Sequence, residues 1–290
     1  MENGERVTVV AQSSADRPQV GEVAYATRLR EGDLAPYVLL PGDPDRIPKI
    51  TCYWDEFEEK GNYRQYRTAT GKYKGAEISA VSTGVGGPST EVVLDELARL
   101  GADTFIRVGT SGSIQPHIRC GDLVINTGAV RFDGTSNLYV WPEYPAYADY
   151  DVVMALIQAC EELGFSYHLG LAATAGSFYA GQARPVYGDY VPPGKEKLLE
   201  EYQRVGVANL EMEGSTILTL ARLYRKRAGM IVGIVADRVN NVWNDEGVEE
   251  KVSKAATHAV KILAEWDLLK KQAGKRHIYP GLITKTREER

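Results

Sequence analysis

Short apolar runs rich in β-forming residues alternate with helical patterns through most of the 290-residue chain. Such alternation is typical of a mainly parallel sheet whose two faces are covered by helices. The predicted strands cover residues 37–40, 77–82, 104–108, 123–127, 168–174 and 230–235, and the predicted helices cover residues 89–100, 152–163, 214–225 and 248–268. Because no internal repeat or linker interrupts the pattern, it predicts one α/β domain over residues 24–269, with tails over residues 1–23 and 270–290.

Glycine-rich turns follow three of the predicted strands, at residue 42, at residues 84–87 and at residues 109–112. Ligands of open α/β sheets bind beyond the carboxyl ends of the strands, so we expect the three turns to share one pocket. Glycine also lets backbone amides approach an anion closely. The turns therefore favour a negatively charged ligand.

The charge balance excludes several kinds of partner. Lys and Arg total 34 against 39 Asp and Glu, and a net charge of −5 gives no general attraction to nucleic acid. No apolar stretch approaches the about 20 residues that span a bilayer, and residues 1–16 lack the basic segment and apolar run of a signal peptide. A cytoplasmic protein without nucleic-acid or membrane partners is therefore predicted.

The cysteines indicate neither disulfides nor a metal site. Cys52, Cys120 and Cys160 are far apart, odd in number and without a CxxC pair. We interpret them as reduced thiols of the core.

The segment at residues 84–89, Gly-Val-Gly-Gly-Pro-Ser, follows a predicted strand and opens a helix, as a dinucleotide-binding turn does. It lacks the third small residue of that motif, because Ser89 stands there, and no well-placed acid ends the next strand to bind a ribose. A tight turn or an anion-binding nest at a helix N-terminus fits the segment better than a dehydrogenase motif.

Two arginines stand beside these glycine turns. Arg46 follows Gly42, and Arg107 closes an otherwise apolar predicted strand just before Gly109. A buried arginine without an anion is costly, and its planar fork matches phosphate oxygens. The hydroxyls of Thr110 and Ser111 can complete such a site. The alternative for each arginine is a structural ion pair with a nearby carboxylate.

Glu211 and Glu213 flank Met212 at the start of an apolar helix. Paired carboxylates can indicate a glycosidase, but residues two apart at a helix entry do not face each other across a sugar. The spacing fits a site better in which one carboxylate accepts hydrogen bonds from ribose hydroxyls. The alternative is a negative charge that complements the helix dipole.

The segment from Phe178 to Arg184 combines an aromatic ring, an amide and a guanidinium. If it is extended, Gln182 and Arg184 project to the same side and can read the edge of a planar base. Otherwise it is an ordinary loop.

In these motifs the chain resembles the nucleoside phosphorylase-I family, and within it the bacterial uridine phosphorylases. The shared motifs are Pro-Gly-Asp-Pro-Asp-Arg at residues 41–46, Ser-Thr-Gly-Val-Gly-Gly-Pro-Ser-Thr at 82–90, Arg-Val-Gly-Thr-Ser-Gly at 107–112 with Ile-Gln-Pro-His at 114–117, Phe178 to Arg184, and Glu-Met-Glu at 211–213. The resemblance extends from about Tyr37 to Ile262, and several long motifs in register are far more specific than any one of them.

The resemblance implies a mixed, partly barrel-like central sheet with flanking helices in an α/β/α arrangement. It implies phosphate-dependent cleavage of uridine to uracil and ribose 1-phosphate, by a homodimer or a hexamer built from dimers, without an organic cofactor or a catalytic metal. The implied phosphate site consists of Gly42, Arg46, Arg107, Gly109 and Thr110, with Arg64 supplied by the neighbouring subunit. The implied ribose contacts are Glu211, Met212 and Glu213, and the implied base contacts are Phe178, Gln182, Arg184 and Val235.

Three positions depart from the family. Tyr25 stands in the stretch where a histidine reaches the neighbour's sugar, and Gln65 replaces a glutamate that helps to bind a monovalent cation, which leaves that ion site open. Asp237 stands where purine-specific relatives carry the acid that protonates the purine ring.

These departures leave more than one function open. Asp237 can be a catalytic acid of a purine nucleoside phosphorylase if burial raises its pKa, or it can pair with Arg238. A nucleoside hydrolase and a non-catalytic nucleoside binder are also compatible with these residues.

Overall fold

The computed structural model describes residues 14–288, and the side chains of residues 14–284. Residues 1–13 of the predicted N-terminal tail lie outside the described residues. The strands are β1 Gln19–Val20, β2 Val23–Ala24, β3 Tyr37–Pro41, β4 Glu56–Tyr63, β5 Tyr66–Tyr73, β6 Ala76–Val81, β7 Thr104–Ser113, β8 Leu123–Phe132, β9 Ala146–Tyr147, β10 Tyr167–Ala175, β11 Val207–Glu211, β12 Arg227–Asp237 and β13 Val242–Trp243. The helices are α1 Arg46–Thr51, α2 Gly87–Arg99, α3 Tyr150–Leu163, α4 Leu198–Arg204, α5 Gly214–Leu223, α6 Val248–Ala273 and α7 Pro280–Glu288.

Five strands close into a ring at the centre of the sheet. Around the ring the order is β7, β12, β8, β10 and β11, and β11 pairs again with β7. The pairs β12–β8 and β11–β7 are antiparallel, whereas the other three pairs are parallel. The mixed, partly barrel-like sheet that the resemblance implies is thus confirmed.

From the ring the sheet continues through β3, β6, β5 and β4. The outermost strand β4 has the sequence Glu-Phe-Glu-Glu-Lys-Gly-Asn-Tyr and is largely exposed. Charged residues on an edge strand discourage pairing with other chains. They also leave little apolar alternation, which is why the sequence did not predict this strand.

Helices cover both faces of the sheet, as β3 illustrates. Its side chains alternate between the faces. Tyr37 and Leu39 pack into the cluster that contains α1, α3 and α6, whereas Val38 and Leu40 pack into the cluster that contains α2 and α5. Because β3 is buried on both faces, it forms a continuous apolar run in the sequence. The α/β/α layering is confirmed.

The six predicted strands correspond to β3, β6, β7, β8, β10 and β12, and the four predicted helices correspond to α2, α3, α5 and α6. The predicted turn at residues 109–112 is wrong, because β7 continues through both glycines to Ser113. Its ladder with β12 also continues, with one register shift beside Gly112. Arg107 therefore lies inside a strand and not at its end.

The predicted C-terminal tail begins inside a helix, since α6 runs to Ala273 and Lys270 is buried. Ile278 and Leu282 pack into the same hydrophobic cluster as α3 and α6. The packed domain therefore includes residues up to Leu282.

The cysteine prediction is right only in part. Cys160 is buried, whereas Cys52 is exposed and Cys120 is partly exposed. Among residues 14–288, no helix has the length and apolar content needed to cross a membrane.

A cluster of charges ties α6 to the sheet. Asp267 accepts hydrogen bonds from Arg227 Nη1 at 2.8 Å, from Arg227 Nη2 at 2.7 Å and from the Tyr37 hydroxyl at 2.6 Å. Lys270 Nζ lies 2.8 Å from Asp267 Oδ1 and also pairs with Asp151 at the start of α3. Burial opposes ionisation of Asp267, but hydrogen bonds from Arg227 and Lys270 outweigh it and hold its pKa at about 2.

We expect Asp267→Ala to lower the free energy of unfolding by about 3 kcal/mol, because two largely buried cations lose a partner. Urea denaturation at a fixed protein concentration measures this loss. The pKa of Asp267 falls on folding from its ordinary 3.8 to about 2, so the stabilisation is complete above pH 4 and should disappear as the pH falls toward 2. The control is Glu265→Ala, which removes an exposed partner of Lys261 and should cost no more than about 0.5 kcal/mol. Equal losses in the two variants would contradict the prediction.

Candidate active site

A cavity of about 630 Å³ opens beside the ring of strands. Its walls come from the residues that follow β3 and β6, from residues 107–112 of β7, from the loop at residues 178–184, from the ends of β11 and β12, and from β13. Every residue predicted for the site lines this cavity except Arg64 and Asp237. The predicted residues in its wall are Gly42, Arg46, Arg107, Gly109, Thr110, Phe178, Gln182, Arg184, Glu211, Met212, Glu213 and Val235.

Arg107 is a buried cation between two buried carboxylates. Its Nε lies 2.8 Å from Glu211 Oε2, and its Nη2 pairs with Glu213. Its Nη1 has no hydrogen-bond partner among residues 14–288. Because an unpaired buried donor is costly, this nitrogen favours a ligand with acceptor oxygens.

Gly109 leaves room for this guanidinium. A Cβ at position 109 would lie 3.1 Å from Cζ and Nη2 of Arg107 and 3.0 Å from Val232 Cγ1. Thr110, next along the strand, is half-buried in the cavity wall. The Ser111 hydroxyl instead donates to the Leu210 carbonyl at 2.6 Å. Contrary to the sequence prediction, its proton is therefore not available to a ligand in this arrangement.

Arg46 approaches the same cavity from the start of α1. Its Nη1 donates to the Val108 carbonyl at 3.1 Å, and its Nη2 lies 2.5 Å from Glu249 Oε1. Its Nε is buried and has no partner in the described part of the chain. The contact with Val108 places this guanidinium beside the strand that carries Arg107.

Both interpretations of the two arginines therefore apply. Each arginine forms an internal ion pair, Arg46 with Glu249 and Arg107 with Glu211 and Glu213. Both nevertheless line one cavity, and each keeps a buried nitrogen without a partner among residues 14–288. An anion in the cavity would have to share the arginines with these acids.

The two glutamates have different partners. Glu211 turns back onto the start of α5, where its Oε2 accepts from the backbone N–H groups of Glu213 at 2.9 Å and Gly214 at 2.8 Å. The helix-terminus interpretation therefore describes Glu211. Glu213 accepts from the Gly86 N–H at 2.6 Å. Burial raises the pKa of Glu213 above its ordinary value against the opposing effect of Arg107, and the charge of Glu211 adds to the rise.

At the other end of the site, Gln182 and Arg184 meet although their loop is not extended. Residues Ala180–Gln182 form a turn of 3₁₀ helix, and Ala183 has a φ of +50°. Arg184 Nη1 donates to the Gln182 side-chain oxygen and, at 2.9 Å, to the Phe178 carbonyl. Its guanidinium also lies 3.9 Å from the Phe178 ring centre. The predicted pairing of amide and guanidinium is thus present, but a turn produces it.

Burial lowers the pKa of Arg184 to about 10, and the nearby charge of Arg238 adds to the effect. Arg184 therefore remains protonated at neutral pH. Arg238 donates to the backbone carbonyls of Gln182 at 3.0 Å and Ala183 at 3.2 Å, which links the end of β12 to this loop.

Arg64 lies on the turn between β4 and β5, outside the cavity of its own chain. Its guanidinium lies 5.3 Å from the Tyr25 ring centre and donates to the Tyr25 hydroxyl at 3.3 Å. The two residues help to line a second, separate cavity of about 730 Å³.

Asp237 does not line the site and is not a neutral acid. It accepts hydrogen bonds from the backbone N–H groups of Val239 and Asn240, each at 3.0 Å, from Asn240 Nδ2 at 2.7 Å and from Arg119 Nη1 at 2.9 Å. Burial opposes ionisation, but the hydrogen bonds from Asn240 and Arg119 outweigh it and hold the pKa below its ordinary value. This geometry contradicts the hypothesis that burial makes Asp237 a proton donor. The ion pair is with Arg119 and not with Arg238.

The cavity wall also contains residues that the sequence motifs did not indicate. They include Leu210, Ala236 and Trp243. For Trp243 a signal was present, because a lone tryptophan stands in the mostly polar stretch at residues 240–247.

Comparison with known proteins agrees with the motifs. The sequence matches the family model described as the phosphorylase superfamily over residues 36–266. A uridine phosphorylase from Thermococcus kodakarensis is 52% identical over 270 residues, which cover 93% of this chain and 97% of that protein. A uridine phosphorylase from Escherichia coli is 39% identical over 240 residues, which cover 82% of this chain and 94% of that protein. A guanosine phosphorylase from Halorubrum lacusprofundi is 31% identical over 238 residues, which cover 81% of this chain and 93% of that protein. The predicted family is therefore confirmed, and the chain belongs to the phosphorylase superfamily.

Proposed function

We propose that the protein is a pentosyltransferase that cleaves uridine with inorganic phosphate to give uracil and ribose 1-phosphate. One observation carries the proposal: Arg46 and Arg107 line one cavity with the Gln182–Arg184 pair, and each keeps a buried guanidinium nitrogen without a partner in the described chain. The uridine phosphorylases at 52% and 39% identity support the choice of uridine. The predicted cytoplasmic location stays a prediction.

In this proposal phosphate lies between Arg46 and Arg107. Gly42, Gly109 and Thr110 complete its surroundings. A phosphate oxygen attacks the sugar carbon, the carbon–nitrogen bond breaks, and its electron pair leaves with uracil. The uracil anion then takes up the proton that phosphate gives up, which balances the reaction. Because positive charge develops on the sugar, an anion fixed beside it stabilises the transition state through positioning and electrostatics.

The ribose is held by Met212 and Glu213, with Glu211 alongside. Glu213 is held in place by the Gly86 N–H, so its carboxyl group is fixed before the sugar binds. Fixed acceptors for the sugar hydroxyls keep the reacting carbon in line with phosphate.

The base lies against Phe178 and Val235, with its carbonyl edge toward Gln182 and Arg184. A uracil anion carries its charge largely on the two carbonyl oxygens. A guanidinium that stays protonated at neutral pH therefore stabilises the leaving group directly. A base with a different edge would leave these donors unpaired, which disfavours it.

The charge balance of one chain supports a contribution from a second subunit. Arg107 stands between two carboxylates, and the charge of Arg46 is shared with Glu249. A phosphate dianion would bind better with a further cation nearby. We assign this role to Arg64 of a neighbouring copy in a homodimer, or in a hexamer built from dimers.

The monovalent cation site that the resemblance suggests does not fit position 65. Gln65 lines the cavity, and its Nε2 donates to the Ser89 hydroxyl at 2.8 Å. The Gln65 N–H group, and not a cation, therefore occupies the position next to the Ser89 oxygen. A hydrogen-bond donor repels a cation. The reaction as proposed needs no metal ion or organic cofactor, because phosphate is the nucleophile and arginine side chains stabilise the charges that develop.

Two further functions can be distinguished by assay. A purine phosphorylase has support from the guanosine phosphorylase at 31% identity, but not from the ionised Asp237. A hydrolase would release base without phosphate. A phosphate-dependent assay of uridine, thymidine, inosine, guanosine and adenosine side by side, which reads free base and pentose 1-phosphate, tests the proposal. Faster cleavage of a purine nucleoside, or cleavage independent of phosphate, would refute it.

We expect Arg184→Ala to lower kcat/KM for uridine by at least about 100-fold, because a charged donor at a developing anion is worth about 3 kcal/mol. Steady-state kinetics of uracil release measures this. Arg204→Ala, which removes an exposed arginine paired with Glu200, is the control and should keep wild-type kinetics. Near-normal uridine turnover in Arg184→Ala would refute the base assignment.

Arg46→Ala should raise the KM for phosphate by about 10-fold or more, since a charge-assisted contact is worth about 1.5–3 kcal/mol. The KM for uridine should change much less. The measurement is a phosphate saturation curve at saturating uridine. An unchanged phosphate curve would remove Arg46 from the phosphate site.

The Arg64 proposal predicts complementation between two defective chains. Arg64→Ala and Arg184→Ala should each be nearly inactive, but each mixed dimer contains one intact site. Co-expression with random pairing makes half of the dimers mixed, so activity should recover to about a quarter of wild type. No recovery in verified mixed dimers would place Arg64 outside the partner's site.

A further inference from the structure

Trp243 lies in the wall of the candidate active site, yet the proposed mechanism does not use it. The residue is 63% exposed, so the rest of the described chain covers little of the indole. It shares the cavity with Val235, Phe178, Gln182 and Arg184, which are the residues assigned to the base. A large exposed aromatic side chain in a ligand cavity can gain much burial when a planar ligand binds.

The backbone fixes the side from which the indole approaches. Strand β13 pairs antiparallel with the end of β12, with Trp243 directly opposite Ala236. Directly opposite residues of an antiparallel pair project to the same face. Since Ala236 also lines the cavity, its small side chain leaves room for the indole on the cavity side.

The turn between β12 and β13 is organised by the buried Asp237. This carboxylate binds two consecutive backbone N–H groups of the turn, those of Val239 and Asn240, and the Asn240 side chain. Arg119, from a distant part of the chain, holds it from the other side. Asn241 then takes a left-handed conformation, with a φ of +53°, and the chain turns back to place Trp243.

We propose that Trp243 is a base-contacting residue that sets how tightly the nucleoside is held, and that Asp237 is the positioning residue that aims it into the cavity. The inference rests on the proposed function for the identity of the ligand. It gives a role to the buried acid that the mechanism leaves without one. Asp237 acts through the turn and does not exchange a proton with the substrate.

Tryptophan fluorescence tests the contact directly, with uridine as the probe in phosphate-free buffer and excitation at the red edge of the indole band. Uridine should change the emission of the wild-type protein, and Trp243→Phe should abolish most of that change. The matched control is Trp141→Phe, because Trp141 is equally exposed, at 64%, and does not line the cavity. A uridine response that persists in Trp243→Phe would overturn the proposed contact.

Kinetics separates the two roles. Trp243→Ala should raise the KM for uridine about 10-fold with a smaller change in kcat, as expected for loss of an aromatic contact made in the ground state. Asp237→Asn should raise the same KM about 5-fold, with no further rise when it is added to Trp243→Ala. Asp245→Asn, an exposed acid on the same loop, should be neutral.

Two results would overturn the positioning role of Asp237: additive effects of Asp237→Asn and Trp243→Ala, or a fall in kcat with KM unchanged. If the wild-type protein turned over no uridine, the proposed function itself would fail. If the wild type were active and Trp243→Ala had unchanged kinetics, only the present inference would fail.

Discussion

The buried ion pairs of Arg107 constrain the centre of this structure more than any other contact. A guanidinium on a ring strand with almost no exposure to water needs carboxylates beside it, and Glu211 and Glu213 supply them. Both acids stand where β11 ends and α5 begins, so β11 must pair with β7 in one register. That register places Leu210 opposite Gly112. Loss of the guanidinium would leave two buried carboxylates without a cation, at a cost of about 3–5 kcal/mol.

Closure of the strand ring also explains why dispersed motifs become one site. Phosphate-binding candidates lie near residues 42–46 and 107–110, whereas the base and ribose candidates lie near residues 178–184 and 211–213. The antiparallel β11–β7 pair brings the later segments against the earlier ones. Gly109 also helps to form this site, because a side chain at that position would lie too close to the Arg107 guanidinium.

Much of this could be predicted from local patterns, whereas contacts between distant segments could not. The apolar run of β3 and the long stretch of helical periodicity in α6 predicted buried elements. The arginines beside glycines predicted the position of the cavity. The turn predicted at Gly109 is wrong, because a glycine near the end of an apolar run is typical of a turn. The sequence does not show that this glycine makes room for the Arg107 guanidinium within a strand. Strand β11, with the sequence Val-Ala-Asn-Leu-Glu, is too short to show a period, so local patterns did not predict the closure of the ring, which only the family resemblance implied. The ionisation of Asp237 depends on hydrogen bonds from Asn240 and from Arg119, which is 118 positions earlier in the chain. Because the sequence pattern shows neither bond, a buried acid there can equally be interpreted as a proton donor.

The acids that stabilise Arg107 also limit what the cavity can bind. Two carboxylates on one guanidinium give this part of the site a net negative charge when both are ionised, and burial already raises the pKa of Glu213. A phosphate dianion placed here would raise that pKa further, because like charges disfavour ionisation. A proton on Glu213 or a cation in addition to Arg46 and Arg107 would therefore favour phosphate binding. A cation held on another subunit, as Arg64 is in the proposed dimer, would let an empty site keep its ion pairs and still accept a dianion on assembly.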